Sequence, residues 1–309
     1  MNPDFKILIR KSLIFLFPVL LWIMTVIIVD PFNYFNYSHK ISEQSKLKSA
    51  QRLNSLLFNS IQFKNNPTPN IIIGDSRIRK LPNGRIEELT GKEYFTLHSN
   101  AAKLNEIVDL FWLANEYSNL ENVILGINFN LYNEYAYSNR VADVKELLSN
   151  QFIYIFNWNI LETVYLALKN EFFGIQKNQK RDKDKFWEHT INTVAKNHYG
   201  KWKKPENSLN KLKEIGAYCK ENNINLTLLI VPHYKEFHDR LVDFNLVHEE
   251  SKFKEDMKNI GKVVDYDFPN IITECKSCFS DPIHTTDSVS KIIINDLFSD
   301  SIIIGKELH

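Results

Sequence analysis

The chain has 309 residues, 44% hydrophobic and 24% charged, with a formal net charge of +1. That composition carries enough apolar material for one sizeable core plus insertions, and it excludes disorder as the default state. The near-neutral total says little about partners, so any electrostatic argument rests on local patches.

Ser12 to Val29 reads SLIFLFPVLLWIMTVIIV, a run without a charged residue that measures about 27 Å as a helix. Lys6, Arg10 and Lys11 precede it and Asp30 follows. The positive-inside rule then puts the amino terminus in the cytoplasm and the rest outside. Ile27-Ile28-Val29-Asp30-Pro31 lacks the small residues of a signal-peptidase site, so residues 1–30 are expected to be a cytoplasmic tail and an uncleaved transmembrane anchor. Phe32, Tyr34, Phe35 and Tyr37 suit the outer interface. Residues 31–66 read as a stalk, because Leu47, Leu53, Leu56, Leu57 and Ile61 recur at roughly helical spacing before Asn65-Asn66-Pro67-Thr68-Pro69 breaks the pattern.

From residue 67 strands and helices alternate. The sequence predicts a strand at 70–75, a helix at 83–90, a strand at 94–98, a helix at 103–117 and a strand at 122–128. After an aromatic-rich insertion at about 135–205, helical over Leu147 to Lys169, the pattern resumes with a helix at 207–222 and a strand over Leu226 to Pro232. A helix at 247–259, a strand at 263–266 and a closing helix at 286–298 complete it. Alternation of this kind implies a parallel sheet with helices on both faces, and ligands of such sheets bind at the carboxyl ends of the strands.

Those ends carry the chemistry. The apolar run Asn70-Ile71-Ile72-Ile73 ends in Gly74-Asp75-Ser76, the form of a buried strand that delivers a hydroxyl onto a tight turn. Of the nine histidines only His284 has an aspartate three residues earlier, in Asp281-Pro282-Ile283-His284. A serine hydroxyl needs an imidazole to take its proton and a carboxylate to fix the tautomer, and these two residues can supply both from one turn. Ser76, Asp281 and His284 are therefore the candidate catalytic residues.

This order resembles the SGNH, or GDSL-type, esterase and acyltransferase superfamily over about residues 68–300. The resemblance implies a three-layer, flavodoxin-like α/β fold with the amino-terminal helix added, and no cofactor or metal. It also implies an oxyanion hole. Val123-Ile124-Leu125-Gly126-Ile127-Asn128 matches the family's third block, with Asn128 in place of its asparagine and Phe129 where an aspartate is usual. Tyr94 to Ala101 stands where the second block would lie but has no glycine. The Ser76 amide, the amides near Asn100 and Ala101 and the Asn128 side chain are the expected donors, although Asn128 also reads as a plain strand-end residue.

Arg77 and His233 are candidate substrate-binding residues: Arg77 for an acyl carboxylate or sugar acid, with a structural ion pair as the alternative, and His233 as a substrate contact or second base, with a surface histidine as the alternative. Cys275 and Cys278 form a disulfide or two free thiols; zinc would need two more ligands, and a thioredoxin-like motif would need a helix start. Cys219 reads as core packing. Between Lys177 and Lys213 eleven Lys or Arg face four acids, interleaved with Phe186, Trp187, Tyr199 and Trp202. Such a stretch fits an anionic or sugar polymer, acidic lipid or simply water. The anchored layout resembles the superfamily's branches that work in polysaccharide O-acetylation or D-alanine transfer, and that resemblance implies an extracytoplasmic enzyme acting on an acyl ester of a cell-envelope glycan, with an integral membrane acyl-transfer partner; nucleic acid is not expected. A non-catalytic glycan-binding or scaffold module on the same fold is the rival reading, and a lipase or thioesterase a third.

Overall fold

A computed structural model describes residues 3–175 and 182–309, without the side chains of residues 3–10 and 13. In chain order the elements are α1 (Pro3–Val29), α2 (Glu43–Asn65), β1 (Asn70–Gly74), α3 (Asn83–Thr90), β2 (Phe95–His98), α4 (Leu104–Tyr117), β3 (Asn122–Gly126), α5 (Arg140–Ser149), α6 (Gln151–Ile155) and α7 (Trp158–Phe173). Then follow α8 (Lys183–His189), α9 (Ala195–Tyr199), α10 (Glu206–Glu221), β4 (Asn225–Ile230), α11 (Lys235–Asp243), α12 (Val247–Lys258), β5 (Lys262–Asp265), β6 (Phe279–Asp281), β7 (His284–Thr285), α13 (Asp287–Leu297) and β8 (Lys306–Leu308).

The chain divides into two compact units, residues 1–62 with 143–179 and residues 63–142 with 180–309. The expected insertion is thus split between them, and the stretch over 143–175 belongs with α1 and α2. Within that first unit α1 packs on α7, and Asn170 Nδ2 donates to Ser49 Oγ at 2.9 Å. The Asp30 carboxylate accepts the amides of Tyr34, Phe35 and Asn36 at 2.7, 3.0 and 2.7 Å, which turns the chain sharply after α1. Phe32 is fully buried and meets Tyr154 edge-on. It is a core residue of this unit and not part of an interfacial belt. Among the described residues no helix is long and apolar enough to cross a membrane. Helix α1 carries exposed apolar residues from Ile14 to Leu21.

The second unit is a mixed α/β body around a six-stranded sheet of order β2-β1-β3-β4-β5-β8. All pairings are parallel except that of β5 with the edge strand β8. Ile71, Ile72 and Ile73 are wholly buried in β1, as a strand covered on both faces requires. On one face α4 and α10 pack on each other and on β1 and β4, with Asn115 Nδ2 bonded to the Tyr218 hydroxyl at 3.0 Å. On the other, Ile86 of α3 and Val289, Ile293 and Ile294 of α13 join Ile72, Ile124, Leu229 and Val264 in one cluster. The first five strands follow the flavodoxin-like order, in which the chain reverses direction at β1 and β3.

Glycines close the sheet above that reversal point. Ile78, fully buried, lies over Gly74 and Gly126, and a Cβ on Gly126 would stand 2.4 Å from its Cγ2. Replacing Gly126 with alanine is therefore expected to push Ile78 and the turn bearing Ser76 upward and to destabilise the fold by about 1–3 kcal/mol. Thermal unfolding of the variant reads this directly, and an unchanged midpoint would mean that the turn has room to spare.

Candidate active site

Three strand ends and one hairpin build the site. After β1 the chain turns at Asp75, whose Oδ1 accepts the Arg77 amide at 2.9 Å and whose carbonyl accepts that of Ile78 at 3.3 Å. Both amides point back onto Asp75, which leaves Ser76 at the crest of the turn. Opposite it, β6 and β7 form a two-stranded hairpin bent by Asp281, whose Oδ1 accepts the amides of Ile283 and His284 at 3.1 Å each.

The hairpin places both side chains on one side. His284 Nδ1 lies 2.9 Å from each Asp281 oxygen, and Nε2 lies 2.8 Å from Ser76 Oγ. With the carboxylate holding the proton on Nδ1, Nε2 is the free base that accepts from the serine hydroxyl. Asp281 and His284 retain 14% and 21% side-chain exposure, so the pair is open to a ligand. Lys80 fastens the two parts: its ammonium donates to the Thr285 carbonyl at 3.2 Å and lies 3.2 Å from Asp287. On the far side the Tyr234 amide donates to Pro282 O at 2.8 Å, and the Thr286 amide donates to Cys278 O at 2.9 Å. Cys275 and Cys278 are joined in a disulfide directly before β6, which resolves the open choice at these thiols. Cys219 is free and buried.

The expected oxyanion donors separate. Asn128 is fully buried; its Nδ2 donates to Val231 O at 2.6 Å and its Oδ1 accepts the Val231 amide at 3.2 Å. Its side chain clamps the ends of β3 and β4 together, the strand-end reading of this residue. The turn after β2 does stand beside the nucleophile, because the Ser99 amide donates to Gly74 O at 3.2 Å. Ala101 there has φ +52°, a left-handed backbone that glycine adopts with less strain. Arg140 pins this turn by donating to Asn100 O at 3.1 Å while pairing with the buried Glu106 at 2.7 Å. Arg140 and Glu106 were not legible as site residues, since neither lies in a motif.

Arg77 and His233 both face inward. The Arg77 guanidinium, 3% exposed, grips Asp75 through Nε at 3.0 Å from each oxygen; Nη2 sits 2.9 Å from Oδ2, an ion-pair distance without the angle of a hydrogen bond. Its Nη1 reaches Asn130 Oδ1 at 2.8 Å and His233 Nε2 at 2.7 Å. His233, 1% exposed, meets Asp267 through Nδ1 at 2.7 Å and through its own amide at 2.8 Å. His233 offers no free hydrogen-bonding edge to a substrate and is not a surface histidine, while Arg77 is buried on Asp75, Asn130 and His233, its Nη2 held by the ion pair alone. Burial pushes its imidazole below the ordinary value, so it is neutral, with Nδ1 donating to Asp267 and Nε2 accepting from Arg77. Asp267 escaped sequence reading because it lies 34 residues from His233.

His238, Glu250 and Asp267 gather within 4.8 Å, but the Lys254 ammonium stands 3.2 Å from Glu250 and 2.8 Å from Asp265 and supplies the positive charge of that cluster. In the basic stretch, Lys177, Lys180 and Arg181 lie outside the described residues. Tyr199 is buried against Phe129 and Phe237, and the Trp202 indole donates to Tyr132 O at 2.7 Å. These rings serve the core and are not a stacking platform.

Buried histidines give the unit a defined pH response. Burial, reinforced by Arg79 beside His98 and by Lys103 and Arg77 near His198, holds both imidazoles at about 4, against an ordinary value of 6.5. The folded pKa is below the unfolded one, so the stability tied to their neutral forms is full above about pH 6.5 and is lost as the pH falls toward 4. For His238 burial also works downward, but the Glu250 hydrogen bond and the charges of Asp267 and Glu250 carry it up to about 9. Its contribution is full below about 6.5 and is lost as the pH rises through 9. Thermal midpoints are therefore expected to peak near neutrality. A His98→Gln, His198→Gln variant that kept the full acid decline would remove these groups from the explanation.

No family model matches the chain, and no curated protein matches it. Among solved structures, one from Streptococcus pneumonia, provisionally described as a platelet activating factor, aligns over 82% of this chain and 94% of its own length, at 12% identity and a TM-score of 0.43.

Proposed function

We propose that the chain is a membrane-anchored serine esterase or O-acyltransferase of the SGNH type, acting through an acyl-enzyme at Ser76 on an acyl ester of a cell-envelope polysaccharide. One observation carries this reading: Ser76 Oγ, the His284 ring and the Asp281 carboxylate form an unbroken hydrogen-bonded line of 2.8 and 2.9 Å. Ser76 Oγ attacks the acyl carbonyl while His284 Nε2 takes its proton. The ester C–O bond then breaks, and the imidazolium returns that proton to the departing alcohol. Water or a sugar hydroxyl reverses the sequence and releases the acyl group. The Ser76 amide and the turn at Ala101 are the assigned oxyanion donors.

The disulfide supports an oxidising compartment, and the uncharged run of α1 supports an anchor that leaves the catalytic unit outside the cytoplasmic membrane. An integral membrane acyl-transfer protein is the partner this placement calls for.

The test is labelling of the full chain in detergent with a fluorophosphonate, followed by peptide mass analysis. An adduct on Ser76 is the expected result. A folded protein without one would leave a glycan-binding module on a hydrolase-like frame. Incubation with an acetyl donor and candidate envelope glycans then separates transfer from hydrolysis.

A further inference from the structure

In a soluble protein an amphipathic helix hides its apolar stripe, whereas α7 carries two. Ile160, Thr163, Val164 and Ala167 are buried, while Trp158, Tyr165, Phe172 and Phe173 are 61–86% exposed. The preceding short helix adds Phe152 at 65%, Ile153 at 36% and Phe156 at 54%. A helix apolar on opposite faces is one that meets a non-aqueous medium on the outer one.

Its position along α1 shows which medium. The Trp22 indole N–H donates to the Ile155 carbonyl at 2.8 Å, so the corner between α6 and α7 sits level with Trp22. Trp22 lies about 10 Å before the end of α1 at 1.5 Å per residue. The other end of α7 is tied beyond α1, where Glu171 accepts from the Ser42 hydroxyl at 2.6 Å and from its amide at 3.2 Å. Ile14 to Leu21 of α1 are apolar and exposed, Phe15 by 80%. Two exposed apolar surfaces therefore meet at one hydrogen bond.

We propose that the α6–α7 corner dips into the outer leaflet of the bilayer beside α1, as a lipid-facing wedge formed by Phe152, Ile153, Phe156 and Trp158. This inference rests on the anchor reading above. With a hydrocarbon core about 30 Å thick, a corner about 10 Å below the end of α1 lies within the outer half. Its backbone is prepared for that medium: Asn150 Oδ1 accepts the amides of Phe152 and Ile153, and Asn157 Oδ1 accepts those of Asn159 and Ile160. The Phe156 and Asn157 amides bond to Phe152 O and Tyr154 O at 3.0 and 3.2 Å. Backbone donors left without partners would be costly in lipid.

The full chain, reconstituted into vesicles of equimolar phosphatidylcholine and phosphatidylglycerol, is spin-labelled singly at Phe156→Cys, Leu20→Cys or Lys48→Cys. Labels at 156 and 20 are expected to lose accessibility to a water-soluble nickel chelate and to gain it to oxygen, with 48 remaining in water. A label at 156 that matches 48 while 20 stays in lipid overturns the wedge and leaves the anchor standing. A label at 20 in water overturns both. A label at 156 shielded from both reagents and broadened by a second label places another copy of the chain on this face, which also overturns the proposal.

Discussion

A His284→Ala variant is expected to react with fluorophosphonate at Ser76 at least about 10⁴-fold more slowly than the parent protein, with unfolding behaviour close to unchanged. The magnitude follows from removing the base of a nucleophile–base–carboxylate unit, whose members act together and not additively. The stability forecast follows from position: His284 is in a solvent-open hairpin and 21% exposed, and the hairpin keeps its other ties through Lys80, Tyr234 and Thr286. Asp281→Asn should fall in the same direction, because an amide in place of the carboxylate favours the wrong tautomer. Adding Asp281→Asn to His284→Ala should cost little more. If His284→Ala labels at the parental rate, the 2.8 Å contact is structural and the serine is activated by something else.

The largest effect on stability is expected at a neighbour of Ser76. Arg77→Met removes the one cation that Asp75, Asn130 and His233 share and leaves a carboxylate buried without it. Burial by itself lifts the Asp75 carboxyl, and Arg77 more than offsets this, so that it stays below its ordinary range. Breaking a buried pair from one side costs about 3–5 kcal/mol, which denaturant unfolding resolves easily. Asp75→Asn in the same molecule should restore part of the loss, since no charge is then stranded. A single variant within about 0.5 kcal/mol of the parent would mean that the ion pair is solvated in solution. The sign in acid is also fixed: with Asp75 held low, its contribution is present above the ordinary carboxylate range and disappears as the pH falls below it.

Much of this was readable from residue order. The uninterrupted isoleucines of β1 and the alternation that follows it mark a covered parallel strand, and the unique Asp-x-x-His marks the hairpin that meets Ser76. Element limits agree within a residue or two where the apolar period is strong, as in α4 and α10. Three things were hidden. Strand β8 is Lys-Glu-Leu, an edge strand with no apolar signature, tied to β5 by its backbone and by the Lys262–Glu307 ion pair at 3.0 Å. Helix α11 begins directly after a Pro-His-Tyr stretch that reads as loop. The inward clamps at Asn128, Arg77 and His233 depend on partners such as Asp267, Asn130 and Val231 that only the folded chain brings together. A polar residue at a strand end looks the same in sequence whether it faces ligand or core, and the difference is decided by what lies across the sheet.

The Ser76 hydroxyl and the imidazole it meets are 208 residues apart, one on the turn after the first strand of the sheet and the other on the hairpin before the last helix. During synthesis, therefore, the serine emerges and folds long before its base exists. A nascent or prematurely terminated product would carry Ser76 without the imidazole it meets in the folded chain, and the 2.8 Å contact could form only once the closing hairpin had docked.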